Sequence, residues 1–129
     1  MVLRFGGICL DCIDADELAG FYCRLLGWHE TGRDDEGWIS IAPHERGPVW
    51  INVQAEPWYV PPVWPEEPGA QHKMIHFELS PDEGDDLVAA VEFAIGCGAT
   101  VAPHQPEDRD PLELRVLLDP AGHPFCIST

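Results

Sequence analysis

His76 and Glu78 have the residue types and the spacing of a pair that could move a proton. They are two residues apart in an apolar stretch, residues 74–79, and alternate side chains of a strand project from the same face. Histidine is the residue type whose charge changes near neutral pH, so His76 could act as a base or anchor a ligand while Glu78 orients its ring. The alternative is a strand histidine that is only hydrogen-bonded in place. These two residues are the predicted catalytic pair.

Other side chains are better suited to holding a ligand than to reacting with it. An indole offers a flat face to aromatic or conjugated molecules. Arg115 could pair with an anion, unless Glu113 neutralises it two residues away. A cysteine such as Cys126 is more often a small buried residue than a nucleophile, because no base beside it is assured. The predicted ligand-binding residues are Trp38, Asn52, Trp64, Arg115 and Cys126.

The composition excludes several kinds of partner. The 129 residues include 23 acidic and 7 basic side chains, a formal charge of −16, which would repel nucleic acid phosphates and anionic lipids. No apolar run reaches membrane-spanning length, and the first ten residues contain no signal-peptide core. Five cysteines without a framework spacing suit a reducing compartment. We therefore expect a cytoplasmic protein whose partner is a small molecule, not a nucleic acid or a membrane.

The elements that must position these residues follow one order twice. In the first half, a strand over residues 8–13 leads to Asp14, an N-cap type of residue, and the helix that follows ends at Gly27. Three short strands come next, at residues 28–31, 37–42 and 49–54. The first half is therefore predicted to be β-α-β-β-β.

The second half repeats this order. A strand over residues 74–79 is followed by Ser80-Pro81-Asp82-Glu83, which has the pattern of a capping box, and by a helix that ends at Gly98. Three strands follow, at residues 99–102, 112–118 and 124–128, with a hairpin turn between the last two. The repeat predicts an α+β fold of two βαβββ modules, about 1–55 and 72–129, within a single domain of residues 1–129.

Residues 56–71 contain five prolines, two tryptophans and a tyrosine, and are predicted to be a stiff linker between the modules. Such a segment can bind partner domains, or its tryptophans can be buried over a seam, and we favour the second use.

Strand alternation assigns one face of each strand to the helix and leaves the other face open. The predicted open-face residues are Gly7, Cys9, Asp11, Trp38, Ser40, Asn52, Gln54, Met74, His76, Glu78, Glu113, Arg115, Leu117, Cys126 and Ser128. The other histidines, His29, His44, His72, His104 and His123, are predicted to lie at the surface or in loops.

The sequence resembles the vicinal oxygen chelate superfamily of glyoxalases, bleomycin-resistance proteins and extradiol dioxygenases, in its small glyoxalase-like branch. The resemblance rests on LDCID (10–14), LAGFY (18–22), LGW (26–28), PPVWP (61–65), HFEL (76–79), GAT (98–100) and DPAGHPFC (119–126). It implies that the two modules pair their curved, mixed sheets around a cavity that binds the substrate and, in many members, a divalent metal. It also implies a homodimer.

The resemblance places metal ligands at four positions of this chain. These positions hold Gly7 (or Cys9, if the register slips by two), Asn52, His76 and Cys126, of which only His76 is a usual ligand. We therefore predict no firmly bound metal or other cofactor.

Three functions follow from these predictions. The leading one is the binding of a small organic molecule, with aromatic molecules among the candidates, by a binder or a metal-independent enzyme. The second is a metal-dependent lyase, isomerase or dioxygenase completed by unorthodox ligands such as Cys9 or Cys126. The third is a protein-interaction module that uses the Trp-Pro linker.

Overall fold

The computed structural model describes residues 1–44 and 49–129. The chain divides into two compact units, Met1–Tyr59 (unit 1) and Val60–Thr129 (unit 2). The boundary falls inside residues 56–71. Of the helices in the described residues, none combines the length and the apolar character needed to cross a membrane.

Unit 1 contains one helix and one four-stranded sheet. Its elements are β1 (Gly7–Cys12), α1 (Ala15–Leu26), β2 (His29–Arg33), β3 (Trp38–Ala42) and β4 (Trp50–Ala55). The strand order is β1-β4-β3-β2, with β1 parallel to β4 and the other pairs antiparallel.

Local sequence explains α1. The Asp14 side chain accepts a hydrogen bond from the Glu17 amide at 2.9 Å, and Gly27 ends the helix in the left-handed conformation with φ 65°. Both features match the predicted caps. The helix buries Leu18, Phe21 and Tyr22 and contacts β3 and β4, whose isoleucines and valine complete the core of this unit.

Unit 2 has the same order of elements. They are β5 (Phe77–Leu79), α2 (Leu87–Cys97), β6 (Thr100–Val101), β7 (Leu114–Leu118) and β8 (Pro124–Ser128). The strand order is β5-β8-β7-β6, with β5 parallel to β8. The predicted α+β fold of two βαβββ modules is confirmed.

The predicted start of the second helix is wrong. The helix begins after Asp86, whose side chain accepts a hydrogen bond from the Ala89 amide at 2.8 Å, and not after Ser80. Gly84 has φ 99°, a left-handed conformation that a right-handed helix cannot contain. Residues 82–85 therefore form a turn, in which the Asp85 amide donates to the Asp82 carbonyl at 3.1 Å. The first strand of this unit is three residues long instead of six.

The part of the proline-rich segment in unit 2 has one hydrogen bond within itself and one to a later loop of that unit. The Val63 amide donates to the Gln71 carbonyl at 2.8 Å, and the Trp64 indole donates to the His104 carbonyl at 2.9 Å. Trp64 is half-buried, but Trp58 is 88% exposed. The prediction that the linker tryptophans are buried is therefore wrong for Trp58.

The hairpin between β7 and β8 is organised by a buried carboxylate. Asp119 is 4% exposed and accepts hydrogen bonds from the amides of Ala121 and His123. Its second oxygen lies 2.8 Å from Nδ1 of His123, so this histidine is part of the turn, in agreement with its predicted loop position. Gly122 has φ 88°, which explains the glycine at this position.

Candidate functional site

The sheet of unit 1 has one face covered by α1 and one face that the helix of its own unit does not cover, which we call an open face. The register pairs Trp38 with Gln54, Ser40 with Asn52 and Cys9 with Asn52, so these side chains share a face. Ile39, Ile41, Ile51 and Val53 are buried on the other face. The residues of the first open face are Cys9, Asp11, Trp38, Ser40, Asn52 and Gln54, as strand alternation predicts.

A directional hydrogen-bond chain crosses three of these residues. The Trp38 indole N–H donates to Ser40 Oγ at 3.3 Å, and Ser40 Oγ donates to Asn52 Oδ1 at 2.6 Å. The indole and the hydroxyl have then used their donors, and all three side chains are half-buried. These two hydrogen bonds fix the plane of the indole and direct the amide NH2 of Asn52 away from Ser40.

Polar and acidic side chains lie near Cys9 on the same face. Its thiol lies 3.9 Å from Gln54 Oε1, and the Gln54 amide donates to the Glu56 carboxylate at 2.6 Å. Burial raises the pKa of the Cys9 thiol, and the negative charges of Asp11 and Glu56 raise it further. Cys9 is therefore a neutral thiol at neutral pH and a poor nucleophile or metal ligand.

Trp50 closes the first of the four positions where the family resemblance places a metal ligand. It pairs with Gly7 across the parallel strands, and a Cβ added to Gly7 would collide with the Trp50 carbonyl oxygen and lie 2.7 Å from Cδ1 of its ring. The ring also lies over Gly6. No side chain fits at position 7 without a shift of the backbone.

Sequence reasoning missed Trp50. Its position two residues before Asn52 gave it the parity of the open face. The two glycines at positions 6 and 7 were a signal of close approach by another group.

The sheet of unit 2 also has an open face, but it carries charge. Glu78 is the direct neighbour of Cys126 in the parallel pair β5 and β8, and Val116 neighbours Cys126 from β7. Burial raises the pKa of the Cys126 thiol, the charge of Glu78 raises it further, and Lys73 opposes this shift. Cys126 is therefore a neutral thiol at neutral pH.

The structure brings His76 and Glu78 together, but not by the predicted route. His76 Nε2 lies 3.6 Å from Glu78 Oε1, with 35% and 78% of the two side chains exposed. His76 precedes β5, so strand alternation does not set its direction. The distance suits an ion pair when the histidine is protonated and exceeds that of a good hydrogen bond. Their catalytic roles stay a prediction.

Arg115 lies on the other face of the second sheet, contrary to the face prediction. It pairs with Ile127, whereas Val116 pairs with Cys126, and paired residues share a face. Ile127 is buried in the core. Alternation along β7 alone could not fix this parity, because it depends on the register with β8.

Trp64 is positioned by unit 2 and already has a cation beside it. The Lys73 ammonium lies 4.4 Å from the centroid of the Trp64 ring and forms an ion pair with Glu66. The cation–π contact and the indole hydrogen bond together hold this ring in one orientation. A binding role for Trp64, like those of Arg115 and Cys126, stays a prediction.

The residues at the four family positions do not fit a divalent metal. They are a glycine that admits no side chain, an amide whose oxygen already accepts from Ser40, a histidine, and a thiol with a raised pKa. Within residues 1–44 and 49–129, no three His, Cys, Asp or Glu side chains are grouped so that they could hold a metal ion.

Comparisons with known proteins agree with this fold. The sequence profile of the Glyoxalase-like domain family matches residues 7–128, while a search of curated proteins finds no match. A mutant of the fosfomycin resistance protein FosX from Listeria monocytogenes, complexed with Mn(II) and 1S,2S-dihydroxypropylphosphonic acid, is 15% identical with a TM-score of 0.66. The alignment covers 99% of this chain and 90% of that one.

Two further solved structures have the same fold. FosX from Mesorhizobium loti is 12% identical over 100% of this chain and 93% of that chain, with a TM-score of 0.63. A glyoxalase/bleomycin resistance protein from Albidiferax ferrireducens T118 is 18% identical over 96% of each chain, with a TM-score of 0.61. Likeness at these identities shows the fold alone. The family match covers nearly the whole chain, which therefore belongs to the Glyoxalase-like domain family.

Proposed function

We propose that the protein binds a small organic molecule with an aromatic or conjugated group on the first open face, without a metal of the family type. The observation that carries this proposal is the hydrogen-bond chain from Trp38 through Ser40 to Asn52. It prepares a flat apolar surface and a polar group side by side, as small-molecule sites require.

The hydrogen-bond chain explains how such a ligand would be oriented. Because the indole N–H is bonded to Ser40, the Trp38 ring is held in place before a ligand arrives, which lowers the entropy cost of stacking. Among the described residues, no partner is found for the Asn52 amide NH2, and its oxygen is used by Ser40. A carbonyl or hydroxyl oxygen of the ligand can accept from this amide.

The charges of the face restrict the ligand further. Asp11 is a member of the first open face, Glu56 is bonded to Gln54 beside it, and none of the six residues of the face is basic. An anion would meet repulsion there. We therefore propose a neutral or cationic ligand, in contrast to the phosphonic acid complexed with the FosX structure.

If the protein also has a catalytic activity, we assign its acid–base step to unit 2 alone, on a molecule bound beside His76. His76 is then the base, and Glu78, 3.6 Å from it, orients its ring. This reading needs no metal. It predicts that His76→Ala abolishes turnover and leaves the affinity of the first open face for its own ligand within about twofold, since His76 is not part of that face.

Tryptophan fluorescence tests the binding proposal. The chain treated with chelator is screened against aromatic amines, phenols and heterocycles, with fosfomycin as the anionic comparator. We expect saturable quenching by a neutral or cationic compound, weakened at least about tenfold in Trp38→Phe or Asn52→Ala, a loss of about 1.4 kcal/mol. Trp58→Phe is the matched control, because Trp58 is 88% exposed and lies outside both sheets. Binding that needs a metal, or equal affinity in Trp38→Phe and wild type, would contradict the proposal.

A further inference from the structure

A pair of histidines lies beside β2, the edge strand of the first sheet. The ring centroids of His29 and His44 are 6.0 Å apart, and both side chains line a groove of about 450 Å³ together with Glu30 and Thr31. We propose that His29 and His44 bind one divalent transition-metal ion, Cu²⁺, Ni²⁺ or Zn²⁺, at this groove.

The pairing of strands explains why the two rings meet. His29 is the direct neighbour of Ala42 in the antiparallel pair β2 and β3, and His44 follows Ala42 by two residues. β2 is the edge strand opposite β1 in the order β1-β4-β3-β2. The pair is therefore separated from Gly7, on β1, by the width of the sheet.

The distance between the rings suits a shared ion. Imidazole nitrogens bind such ions at about 2.0 to 2.1 Å, so two rings on one ion have centroids roughly 5 to 6 Å apart. The observed 6.0 Å lies at the upper end of this range, and both side chains are exposed and can adjust. Little rearrangement is needed for both rings to reach one ion.

The surroundings favour a cation but do not complete the coordination. Both carboxylate oxygens of Glu30 accept hydrogen bonds from Arg33, at 2.6 and 2.8 Å, so Glu30 lines the groove without being available as a ligand. In the part of the chain that the structure describes, no third His, Cys, Asp or Glu joins the pair in a metal-binding group. Water would fill the remaining positions, which makes the ion exchangeable. The formal charge of −16 raises the local concentration of dications.

The chemistry of the donors predicts the order of affinity. Two imidazoles suit Cu²⁺, Ni²⁺ and Zn²⁺, and the general order of divalent ions places Cu²⁺ first. Mg²⁺ requires oxygen ligands and should not bind here.

Calorimetric titration of the full chain with CuSO4, NiCl2, ZnCl2 and MgCl2 in a non-coordinating buffer tests this site. We expect one Cu²⁺ per chain, and an affinity at least about tenfold weaker in His29→Ala and in His44→Ala, because the loss of even an outer-shell partner costs 10- to 100-fold. His72→Ala is the control, since His72 is exposed and belongs to unit 2. It should bind as wild type does.

A second readout keeps the proposal testable if a variant folds poorly. Ni²⁺ is paramagnetic, so in the wild-type chain it should broaden the imidazole resonances of two of the six histidines, those of His29 and His44. Unchanged affinity in both alanine variants, no binding at one ion per chain, or loss of binding in His76→Ala instead would overturn the site. The ligand proposal above does not depend on this outcome.

Discussion

In both units a parallel pair of strands, β1 with β4 and β5 with β8, lies at one edge of a four-stranded sheet, yet the two open faces differ in chemistry. The first face has a hydrogen-bond chain through Trp38, Ser40 and Asn52. The second has Glu78 next to Cys126, with the ionisable His76 nearby. Repetition of a fold therefore does not imply the same chemistry on its faces, and each face has its own side chains and its own chemistry.

The two units also differ in how a family metal position is lost. In unit 1 a neighbouring residue occupies the position, because Trp50 takes the space that a side chain at Gly7 would need. In unit 2 a histidine remains, but its partner position holds the Cys126 thiol, whose pKa is raised by burial and by Glu78. Restoring one ligand would thus have different consequences in the two units.

The largest expected effect comes from Gly7→His, which puts a usual ligand into unit 1. A side chain there must displace the backbone of Trp50, and we expect a loss of about 3 kcal/mol in the free energy of unfolding, at the upper end for overpacking, measured by urea denaturation. Asp11→His is the control, because Asp11 is exposed on the same face, and it should change stability by only about 0.5 kcal/mol. A Gly7→His variant as stable as wild type would show that Trp50 does not close this position.

Ser40→Ala should have the next largest effect, because it removes the hydroxyl that links Trp38 to Asn52 by hydrogen bonds. Loss of a half-buried hydroxyl with two hydrogen bonds should cost about 1 kcal/mol of unfolding free energy. Ser128→Ala is the matched change in unit 2, where Ser128 lies on the open face beside Leu114 with the same half-buried exposure. Equal losses in the two variants would mean that the hydrogen-bond chain adds no stability to the first face.

Glu78→Gln tests the electrostatics of the second face. Removing this charge should lower the pKa of Cys126 part of the way toward its ordinary value, because burial is the larger cause of the shift. Cys126 should then react faster with iodoacetamide at pH 8, as measured by peptide mass spectrometry.

A second variant and a second thiol make this experiment specific. Lys73→Met should slow the reaction of Cys126, because the lysine opposes the shift. Cys9, whose pKa is raised by Asp11 and Glu56, is the internal control and should react at the same rate in all three proteins. If Cys126 reacts at the same rate in Glu78→Gln as in wild type, the charge of Glu78 does not raise the pKa of this thiol.

The smallest expected effect concerns acid in unit 1. The amides of Trp38 and Glu36 donate to Asp34 and hold its pKa below the ordinary value. A lowered folded-state pKa adds stability above the unfolded pKa of about 4, and this is lost as pH falls through the folded pKa. Asp34→Asn keeps an acceptor without the charge, so its urea midpoint should change less than that of wild type between pH 5 and pH 3. Identical pH profiles would contradict this assignment.

Local signals predicted much of the fold. Asp14 and Gly27 indicated both ends of α1, and alternation predicted the faces of β3 and β4 because Ser40, Asn52 and Gln54 alternate there with isoleucines and a valine. Local signals did not predict the start of the second helix. Ser80 and Asp86 both suit an N-cap, and the choice between them depended on the left-handed turn at Gly84. The strands β5 and β6 have only three and two residues, too few for alternation to indicate a face.

The site was less predictable because its decisive contacts join distant residues. The approach of Trp50 to Gly7 depends on the register of β1 with β4, and the side of Arg115 depends on the register of β7 with β8. The groove between His29 and His44 depends on the pairing of β2 with β3. Periodicity along one strand contains no information about its neighbour.

Side-chain NMR of the chelator-treated chain tests the central claim most directly. The compound that quenches fluorescence most strongly is titrated while the Trp38 indole N–H and the Asn52 amide NH2 are followed. Our account predicts saturable shifts of these two resonances, unchanged by added chelator, and smaller shifts for the Trp58 indole. Shifts confined to the surroundings of His76 and Cys126, or shifts that disappear when metal is removed, would contradict it.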